Sequence, residues 1–494
     1  MKIKKLGYIL GCMTLLCSCL QRSITPVDQQ NPWVDDYSNF SKMEDYKKWG
    51  TYNVHDPSIL LIGDTYYAYS TDAILGQNDK EIKDKQLPFG YIQVRKSKDL
   101  VNWEYVGWAL EEIPQEAKDW VLEHADGEGA SNIWAPYILE YQGKLRLYYS
   151  VSSFGKQTSY IGLAEATSPE GPWQLKGCVV KTKGGDVMNA IDASIVTDPT
   201  TGEQWMHYGS YFGGLHVVQL NPETGLTMKP NDQGILTARR DNPSKNNLEA
   251  PEIVYNQELK QYFLFVSYDP LMTTYNVRVG RSDKPQGPFF DYFGKDMREQ
   301  IDDYPILTYP YRFQNHTGWA GVAHCSVFQD KDGNFYMGHQ ARLAPENHMM
   351  DFHLRQIFWT SDGWPVVSPQ RYANTPTQKI EDKDLVGEWE IIHIKGDAPE
   401  RELFAGQILW GENHLAEKEM CLSHTVTFHN DNTLTGDLKG TWSMSKDDKL
   451  SIHASETIEG LHLHMGQDWE NEKVTILFTG LNAAGESIWG KRVK

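Results

Sequence analysis

Three acidic residues of this chain, Asp56, Asp192 and Glu249, stand near the start of copies of a short phrase that repeats along the sequence, and we predict that they share one phase of the repeat. Hydrolysis of a glycosidic bond needs a protonated carboxyl group that donates to the leaving oxygen. It also needs an ionised carboxylate that acts on the anomeric carbon or on its water. A third carboxylate nearby can keep the acid protonated by like-charge repulsion. We therefore predict one acid–base site, in which the longer side chain of Glu249 suits the proton donor.

Each of these acids has a structural interpretation as well. An aspartate before a proline or a small residue at a strand start is a common turn device, so each one alone would more often be structural. Three acids at one phase favour catalysis. Glu252 lies three residues after Glu249 and is a rival for the acid. Spacing does not exclude Glu252, but the phase favours Glu249.

The repeated phrase predicts the fold. It recurs at intervals of roughly 55 to 80 residues, and a second run rich in Tyr, Phe and Val follows each copy. A unit of four short strands repeated in this way is typical of a β-propeller, in which the innermost strands begin near a central channel. We predict a five-bladed β-propeller over residues 49–369. The copies read HDPSILL from His55, WAPYILE from Trp134, IDASIVT from Ile191, EAPEIVY from Glu249 and AHCSVFQ from Ala323.

Composition supports an all-β chain and excludes some partners. Aromatic residues make up 12% of the 494 residues, and helix-period apolar stripes are scarce. The formal net charge of −19 argues against a nucleic-acid partner and against anionic polymers. A neutral glycan is compatible with this charge, although acidity alone more often reflects solubility.

A second domain is predicted after the repeats. Residues 370–383 read as a linker, and residues 384–494 contain short alternating strands with turn dipeptides, which predict a small antiparallel β-barrel. This segment has no obvious acid pair, so the chemistry is placed in the propeller. A glycan-binding role and a bracing role for the barrel both remain open.

The N-terminus predicts export. Residues 1–19 combine a basic start, an apolar run of signal-peptide length and a small residue before a cysteine. Leu16-Cys17-Ser18-Cys19 resembles a bacterial lipoprotein cleavage box, in which Cys19 would carry the lipid. Residues 20–48 would then be a polar tether, and the lipid would be the only membrane attachment. Ordinary secretion is the alternative, and the membrane face is not readable.

The three cysteines after Cys19, namely Cys178, Cys325 and Cys421, are far apart and show no CxxC spacing. A disulfide framework is therefore not expected despite the oxidising compartment. Each cysteine is predicted to be a small buried hydrophobic residue.

Three short motifs resemble the catalytic motifs of glycoside hydrolase family 43. They are HDPS at His55, NAIDAS at Asn189 and LEAPE at Leu248. The resemblance implies that Asp56 is the general base, that Asp192 raises the pKa of the acid and orients it, and that Glu249 is the acid. Members of this family invert the anomeric centre, which implies a water between base and sugar.

Further phrases resemble the endo-acting 1,5-α-L-arabinanases of that family. The resemblance implies an arabinan cleft lined by polar and aromatic residues, since a furanose offers a flat apolar face and hydroxyl groups. The alternative for Tyr211 and Phe212 is that they are ordinary residues of the propeller core. The alternative for Trp134 is that it only fills space at the start of its blade. The residues so implied are Phe154, Gly155, Asn189, Ser210, Tyr211 and Phe212, with Trp134 as a wall of the sugar site.

His324 is the second residue of the fifth copy of the phrase. A lone histidine is usually a core residue, but the resemblance implies that His324 binds a calcium ion in the channel, with water as most of the other ligands. The family phrase G-H-N-S reads A-H-C-S here, so Cys325 replaces an asparagine. A hard cation prefers oxygen ligands, so Cys325 is not expected to contribute.

The expected function is that of an exported endo-1,5-α-L-arabinanase acting by inversion. One alternative is an exo-acting α-L-arabinofuranosidase or β-xylosidase of the same family, which would need a loop that closes one end of the cleft. Residues 74–89 and 290–318 are the candidates for such a loop. The other alternative is a non-catalytic glycan-binding propeller, which the three carboxylates disfavour. The sequence pattern indicates no particular oligomeric state.

Overall fold

The computed structural model describes residues 43–72, 84–87, 89–240, 248–299, 302–344, 350–396 and 417–494. The predicted signal peptide with Cys19, most of the predicted tether and most of the insert at residues 74–89 lie outside the described residues. The described part begins with a 3-10 helix, Met43–Lys48. No helix in this part is long and apolar enough to cross a membrane.

The first two repeats each fold into a four-stranded antiparallel sheet whose strands follow chain order. Val, Ile and Tyr dominate these strands, which suits residues that pack on a pleated surface. Helix α1, Gln115–His124, lies between the two sheets in sequence and buries Ala117 and Val121. The first sheet contains β1 (His55–Ile62), β2 (Thr65–Thr71), β3 (Ile92–Ser97) and β4 (Glu104–Trp108), and the second contains β5 (Trp134–Tyr141), β6 (Lys144–Ser152), β7 (Ser159–Ala166) and β8 (Gln174–Thr182).

The third and fourth repeats also form separate four-stranded sheets. Part of the predicted cleft-closing stretch, residues 290–318, supplies the edge strand of the fourth sheet. The third sheet contains β9 (Ser194–Thr197), β10 (Gln204–Ser210), β11 (Gly214–Leu220) and β12 (Ile235–Ala238), and the fourth contains β13 (Leu248–Asn256), β14 (Gln261–Tyr268), β15 (Asn276–Ser282) and β16 (Ile306–Thr308).

The fifth repeat does not form a separate sheet. Its four strands belong to a seven-stranded sheet that also takes in three two-residue strands. The all-β prediction is therefore confirmed as a propeller-like arrangement, but with four separate four-stranded blades rather than five. The strands of this sheet are β17 (Tyr311–Arg312), β18 (Trp319–Ala320), β19 (Cys325–Gln329), β20 (Phe335–Leu343), β21 (Met350–Trp359), β22 (Pro365–Val367) and β24 (Cys421–Leu422).

A closed set of hydrogen bonds joins the innermost strands β1, β5, β9, β13 and β19. In each repeat the third residue after the start of the phrase bonds to the backbone of a neighbouring inner strand. Ser58 Oγ, for example, accepts from the Ile138 N–H at 3.0 Å, and Ser326 Oγ accepts from the Ile59 N–H at 3.1 Å. We call this set the interstrand ring; its members are Ser58, Tyr137, Ser194, Glu252 and Ser326.

The chain after residue 384 forms the predicted barrel, which is closed and has eight strands. One detail differs from the prediction. β24 lies within this C-terminal segment but is not a strand of the barrel. It pairs in parallel with β17 and so extends the fifth sheet. Helix α2 (Asp382–Leu385) precedes the barrel, and a 3-10 helix, Glu417–Glu419, precedes β24. The barrel strands are β23 (Gly387–His393), β25 (His424–Phe428), β26 (Thr433–Gly436), β27 (Gly440–Met444), β28 (Lys449–His453), β29 (Thr457–Asp468), β30 (Lys473–Leu481) and β31 (Ser487–Arg492).

The barrel and the propeller-like part share one buried core. Ile392 and Trp489 of the barrel belong to the same apolar cluster as Tyr311 and Phe313. The ring centroids of Tyr311 and Trp489 are 5.2 Å apart in an edge-on arrangement. Such a contact resembles the inside of a single domain, so the barrel braces the sheets around β16 and β17.

A buried lysine anchors this seam. Lys491 has no exposed surface, and its Nζ lies 2.8 Å from Asp468 and 2.7 Å from Glu470. The same Nζ lies 4.4 Å from the ring centre of Phe313. Glu470 also accepts a hydrogen bond from the Gln370 side chain, which belongs to the predicted linker.

The three described cysteines carry free thiols, and only Cys325 is fully buried. Cys178 and Cys421 are only partly buried, although both pack against apolar clusters, so the predicted burial is confirmed in full for Cys325 alone among the three. Cys421 lies in the two-residue strand β24, where there is little sheet to cover its side chain.

Replacing Lys491 with methionine should lower the free energy of unfolding by about 3–5 kcal/mol, because it leaves Asp468 and Glu470 buried without a counter-charge. Urea unfolding and thermal melting measure the loss. Lys494→Met is the matched control, because the Lys494 side chain is 78% exposed where it pairs with Glu388. Equal stability of the two variants would contradict the role of Lys491 in the seam.

Candidate active site

The inner strands share a backbone feature that shows which positions are equivalent. The second residue of every phrase has a positive φ, between 37° and 60°, which costs a residue other than glycine roughly 1–2 kcal/mol. Asp56 and Asp192 occupy this position, but Glu249 lies one residue earlier and Ala250 takes its place. The prediction that all three acids share one phase is therefore wrong for Glu249. The positive-φ residues are Asp56, Ala135, Asp192, Ala250 and His324.

Side chains from the preceding repeat hold these positions in place. The backbone N–H of Asp56 donates to Gln340 Oε1 at 3.0 Å, that of Asp192 donates to Ser150 Oγ at 3.1 Å, and that of His324 donates to Ser267 Oγ at 2.9 Å. The bond between Gln340 and Asp56 runs from the last repeat back to the first. Contacts that connect the repeats thus hold the backbone at Asp56, Asp192 and His324.

Asp56 is built to stay ionised. His324 Nδ1 lies 2.9 Å from Asp56 Oδ1. Burial acts to raise the pKa of Asp56, but the charge and hydrogen bond of His324 outweigh it, with help from His55 and Thr71. The pKa is lowered to about 2. A carboxylate that stays charged at neutral pH can accept a proton from water.

Asp192 has a structural and an electrostatic role. Its Oδ2 accepts the Ala250 N–H at 3.1 Å, so it holds the backbone next to Glu249. Burial raises the pKa of Asp192, and the charge of Asp56 raises it further, while His324 acts in the opposite direction.

Glu249 is held in a state that favours its proton. Burial raises its pKa, and the nearby charge of Asp192 adds to that effect. The Tyr275 hydroxyl donates to Glu249 Oε1 at 2.9 Å, which acts in the opposite direction. The environments of Asp56 and Glu249 therefore push their pKa values apart, which is the arrangement that an acid–base pair needs.

Glu252, the rival acid, is a member of the interstrand ring. It is 5% exposed, its Oε2 accepts from the Ser194 hydroxyl at 2.8 Å, and its Oε1 accepts from the Val327 N–H at 2.8 Å. Its position in the repeat is that of Ser58, Ser194 and Ser326. Burial raises the pKa of Glu252 to about 7, but both oxygens are used to join strands.

His324 was the predicted metal ligand. Burial acts to lower its pKa, but Asp56, Asp192 and Glu249 raise it to about 9. Within the described residues, no group of three or more His, Cys, Asp or Glu could hold a metal ion, so a cation at His324 would need water as its main ligand. The Nδ1 contact with Asp56 leaves Nε2 for such a cation and would orient the ring. Burial raises the pKa of the Cys325 thiol, so it would not act as a thiolate ligand.

The residues predicted to line the cleft differ in exposure. Phe154 and Phe212 are 42% and 44% exposed, and Gly155 is also at the surface. Trp134 packs edge-on against Phe154 at a centroid distance of 6.3 Å, and its Nε1 donates to Asn132 Oδ1 at 2.6 Å. These aromatic faces can stack on a sugar ring.

The polar cleft residues are more deeply placed. Asn189 is buried; its Oδ1 accepts from the Ser159 hydroxyl, and its Nδ2 donates to Ser210 Oγ at 3.0 Å. Asn189 and Ser210 are therefore bonded to each other. The Tyr211 hydroxyl donates to the Asp269 carbonyl at 3.2 Å, and the charge of Glu249 raises the pKa of Tyr211 further than burial alone.

Three residues near the carboxylates were not predicted from the sequence. They are Tyr275, which bonds to Glu249, and Gln340 and Arg342 of β20. Burial lowers the pKa of Arg342 to about 9, while the charge of Asp56 acts in the opposite direction, which identifies Arg342 as a neighbour of Asp56. Strand alternation puts positions 340 and 342 on one face of β20, and that was the only available signal.

Comparison with known proteins agrees with this geometry. Residues 50–365 match the family model described as glycosyl hydrolases family 43. The chain belongs to glycosyl hydrolase family 43. Residues 369–490 match a second model, described as a C-terminal lipocalin-like domain, so the family 43 match ends close to where the barrel segment begins.

Relatives within family 43 include enzymes with the same two-part layout. The chain is 26% identical over 479 residues to extracellular endo-alpha-(1->5)-L-arabinanase 2 of Bacillus subtilis. That alignment covers 89% of this chain and 93% of the relative. It is 31% identical over 345 residues to the extracellular exo-alpha-(1->5)-L-arabinofuranosidase of Cellvibrio japonicus, which covers 66% and 90%. The crystal structure of an endo-1,5-alpha-L-arabinanase from Thermotoga petrophila superposes with a TM-score of 0.72 at 26% identity, covering 90% and 99%.

Replacing Glu252 with glutamine should lower the free energy of unfolding by about 1–3 kcal/mol, because glutamine keeps one accepting oxygen and its NH₂ group cannot accept the second of the hydrogen bonds from Ser194 and Val327. Chemical denaturation measures this loss. Glu258→Gln is the control: Glu258 is exposed and lies two residues after the end of β13, so this change should leave stability unchanged. A fully stable Glu252→Gln variant would remove Glu252 from the interstrand ring.

Proposed function

We propose that this protein is an exported, endo-acting glycoside hydrolase that cleaves internal α-1,5-L-arabinofuranosidic bonds of arabinan with inversion. The observation that carries the proposal is the set of three carboxyl groups that lie close enough for their charges to act on one another, in which the pKa of Asp56 is lowered and that of Glu249 is raised. The substrate class is supported by relatives named endo-arabinanases that align over both parts of the chain.

In the proposed mechanism, Asp56 takes a proton from a water molecule that attacks the anomeric carbon. Glu249 gives its proton to the departing sugar oxygen, so the reaction is a single displacement. Asp192 raises the pKa of Glu249 through its charge and orients it through the Ala250 N–H. Three aromatic side chains are proposed to bind sugar rings: Phe154, Tyr211 and Phe212. The polar side chains of Asn189 and Ser210 are proposed to bind sugar hydroxyl groups. Trp134 and Gly155 would form a wall of the sugar site.

We infer that the strands β19–β22 serve as a fifth blade of the propeller. Two sets of contacts support this. Ser326 and Glu252 connect β19 to β1 and β13 in the interstrand ring, and Gln340 Oε1 accepts the Asp56 N–H. Changing Ser326 to alanine tests the inference, because loss of a closing contact should lower the melting temperature.

A calcium ion bound at His324 Nε2 and mostly by water is proposed as the cofactor. When bound, it would supply positive charge near the carboxylates and alter their titration. The supporting geometry is the contact between His324 Nδ1 and Asp56, which fixes the ring. Metal analysis of purified protein, before and after chelation, together with melting curves, tests this. Protein without bound cation and without a chelator response would exclude it.

Export is supported by the relatives, which are named extracellular. Anchoring through a lipid on Cys19 is proposed from the sequence of the cleavage box. Metabolic labelling with a fatty acid analogue, with Cys19→Ala as the control, tests it. Label that persists in the Cys19→Ala variant would contradict the anchor.

The second candidate function is exo-action, because one relative is named an exo-acting arabinofuranosidase. Debranched arabinan distinguishes the two modes. The endo proposal predicts that early digests contain a ladder of oligosaccharides and that viscosity falls quickly. A digest that releases arabinose alone from the start, with slow loss of viscosity, would contradict endo-action. Binding without any product would favour a glycan-binding role.

The pH dependence follows from the two pKa shifts. The pKa of Asp56 is lowered to about 2, so kcat/KM should not fall on its account until strongly acid pH. As pH rises through the raised pKa of Glu249, the acid loses its proton and kcat/KM falls. Asp192→Asn removes a like charge, so this basic limb should move to lower pH. A basic limb that stays in place, or that moves to higher pH, would contradict the role of Asp192.

A further inference from the structure

Tyr275 contacts the proposed acid directly. It lies between β14 and β15, its side chain has no exposed surface, and its hydroxyl donates to Glu249 Oε1 at 2.9 Å. The backbone of Glu249 is held by Asp192 through the neighbouring Ala250 N–H, but the Tyr275 hydroxyl bonds to the carboxyl group itself.

The direction of this hydrogen bond matters for proton transfer. The pKa of Tyr275 is raised well above its usual value by burial and by the charges of Glu249 and Asp192, so the phenol keeps its proton and acts as the donor. Because Oε1 already receives that proton, the transferable proton of Glu249 sits on Oε2. The same bond fixes the plane of the carboxyl group.

The bond also acts after the transfer. When Glu249 has given its proton to the leaving oxygen, its carboxylate is a stronger acceptor, and a hydrogen bond to a charged group is roughly twice as strong as a neutral one. The interaction is therefore stronger when the charge has developed than in the ground state. Only interactions of that kind speed the chemical step.

We propose that Tyr275 is a positioning residue for proton donation: it directs the proton of Glu249 towards the leaving oxygen and stabilises the carboxylate that remains. This inference rests on the proposed function, because it takes Glu249 as the acid. No covalent change occurs at Tyr275, and the proton that leaves Glu249 Oε2 ends on the departing sugar hydroxyl.

The competing interpretation is that Tyr275 only fills space. Its ring belongs to the buried core with Phe263, Phe265 and Val277. Tyr275→Phe keeps that ring and removes the hydroxyl alone, so it separates the two roles. Tyr148→Phe is the matched control, because the Tyr148 hydroxyl is also buried and donates at 2.9 Å, but to the Gly225 carbonyl.

The test compares two leaving groups. Arabinan releases a sugar alkoxide, which needs a proton, whereas an α-1,5-arabinotrioside of 2-chloro-4-nitrophenol releases a phenolate that does not. In Tyr275→Phe, kcat on debranched arabinan should fall about 10- to 100-fold with KM unchanged, while kcat on the aryl trioside should change by less than about threefold. Tyr148→Phe should affect both substrates equally or not at all.

A second readout does not depend on the substrate. Titration of the glutamate carboxyl carbons by NMR, with the signal of Glu249 assigned from Glu249→Gln, should show a higher pKa for Glu249 in Tyr275→Phe than in the native protein. The charged or titratable groups that also face Glu249 are Asp192, Asp56, His324 and Tyr211, and none of them is changed.

The outcomes separate the two proposals. An equal loss on both leaving groups, or no loss on arabinan, would overturn the role of Tyr275. An unchanged titration of Glu249 would overturn it too, whatever the substrate proves to be. If the native protein cleaves neither substrate, the arabinan proposal fails, and the titration alone then decides whether Tyr275 controls the Glu249 proton.

Discussion

The interstrand ring is the contact on which the rest of the structure depends. A propeller has no single sheet to hold it together, so each inner strand must bond to the next, and the last must bond to the first. Ser58, Ser194 and Ser326 do this with short hydroxyl groups, and Glu252 does it with a carboxylate. The contact from Ser326 to the Ile59 N–H closes the circle. These contacts hold the starts of the inner strands, and with them the three carboxyl groups, near one another.

The site arises from departures at the neighbouring positions of the same repeat. Positive-φ backbone at the start of each inner strand turns the chain towards the channel, and strain of that kind is often found at functional sites. Asp56, Asp192 and His324 use the strained position itself. Glu249 stands one residue before it, where the Asp192 carboxylate can bond to Ala250 and act on Glu249 at the same time. The proposed base and the proposed acid therefore come from different positions of the repeat as well as from different repeats.

Sequence reasoning located Asp56, Asp192 and Glu249 because the phrase and the family motifs are both visible in the chain. It grouped Glu249 with the two aspartates because all three acids lie near the start of the phrase, although the copy EAPEIVY begins at Glu249 and so puts Ala250 at the position of Asp56 and Asp192. Tyr275 and Gln340 were not predicted. Tyr275 directly precedes β15 and Gln340 lies within β20, and at such places a tyrosine or a glutamine is an ordinary turn or sheet residue.

The fifth sheet shows the same limit of pattern reading. The strands of its repeat were predicted, but the two-residue strands β17, β18 and β24 carry too little alternation to be recognised. They join it to a C-terminal segment more than a hundred residues away. The resulting seam, with Lys491 at its centre and Trp489 in the shared core, gives the barrel a bracing role that composition left open.

The central claim is that Asp56 activates a water while Glu249 protonates the leaving oxygen in one displacement. The anomeric configuration of the first product tests it most directly. Proton NMR of debranched arabinan during the first minutes of digestion should show new reducing ends in the β configuration, with the α-anomer appearing later by mutarotation. New reducing ends that appear first as the α-anomer would contradict the account, because retention requires a covalent intermediate on a carboxylate.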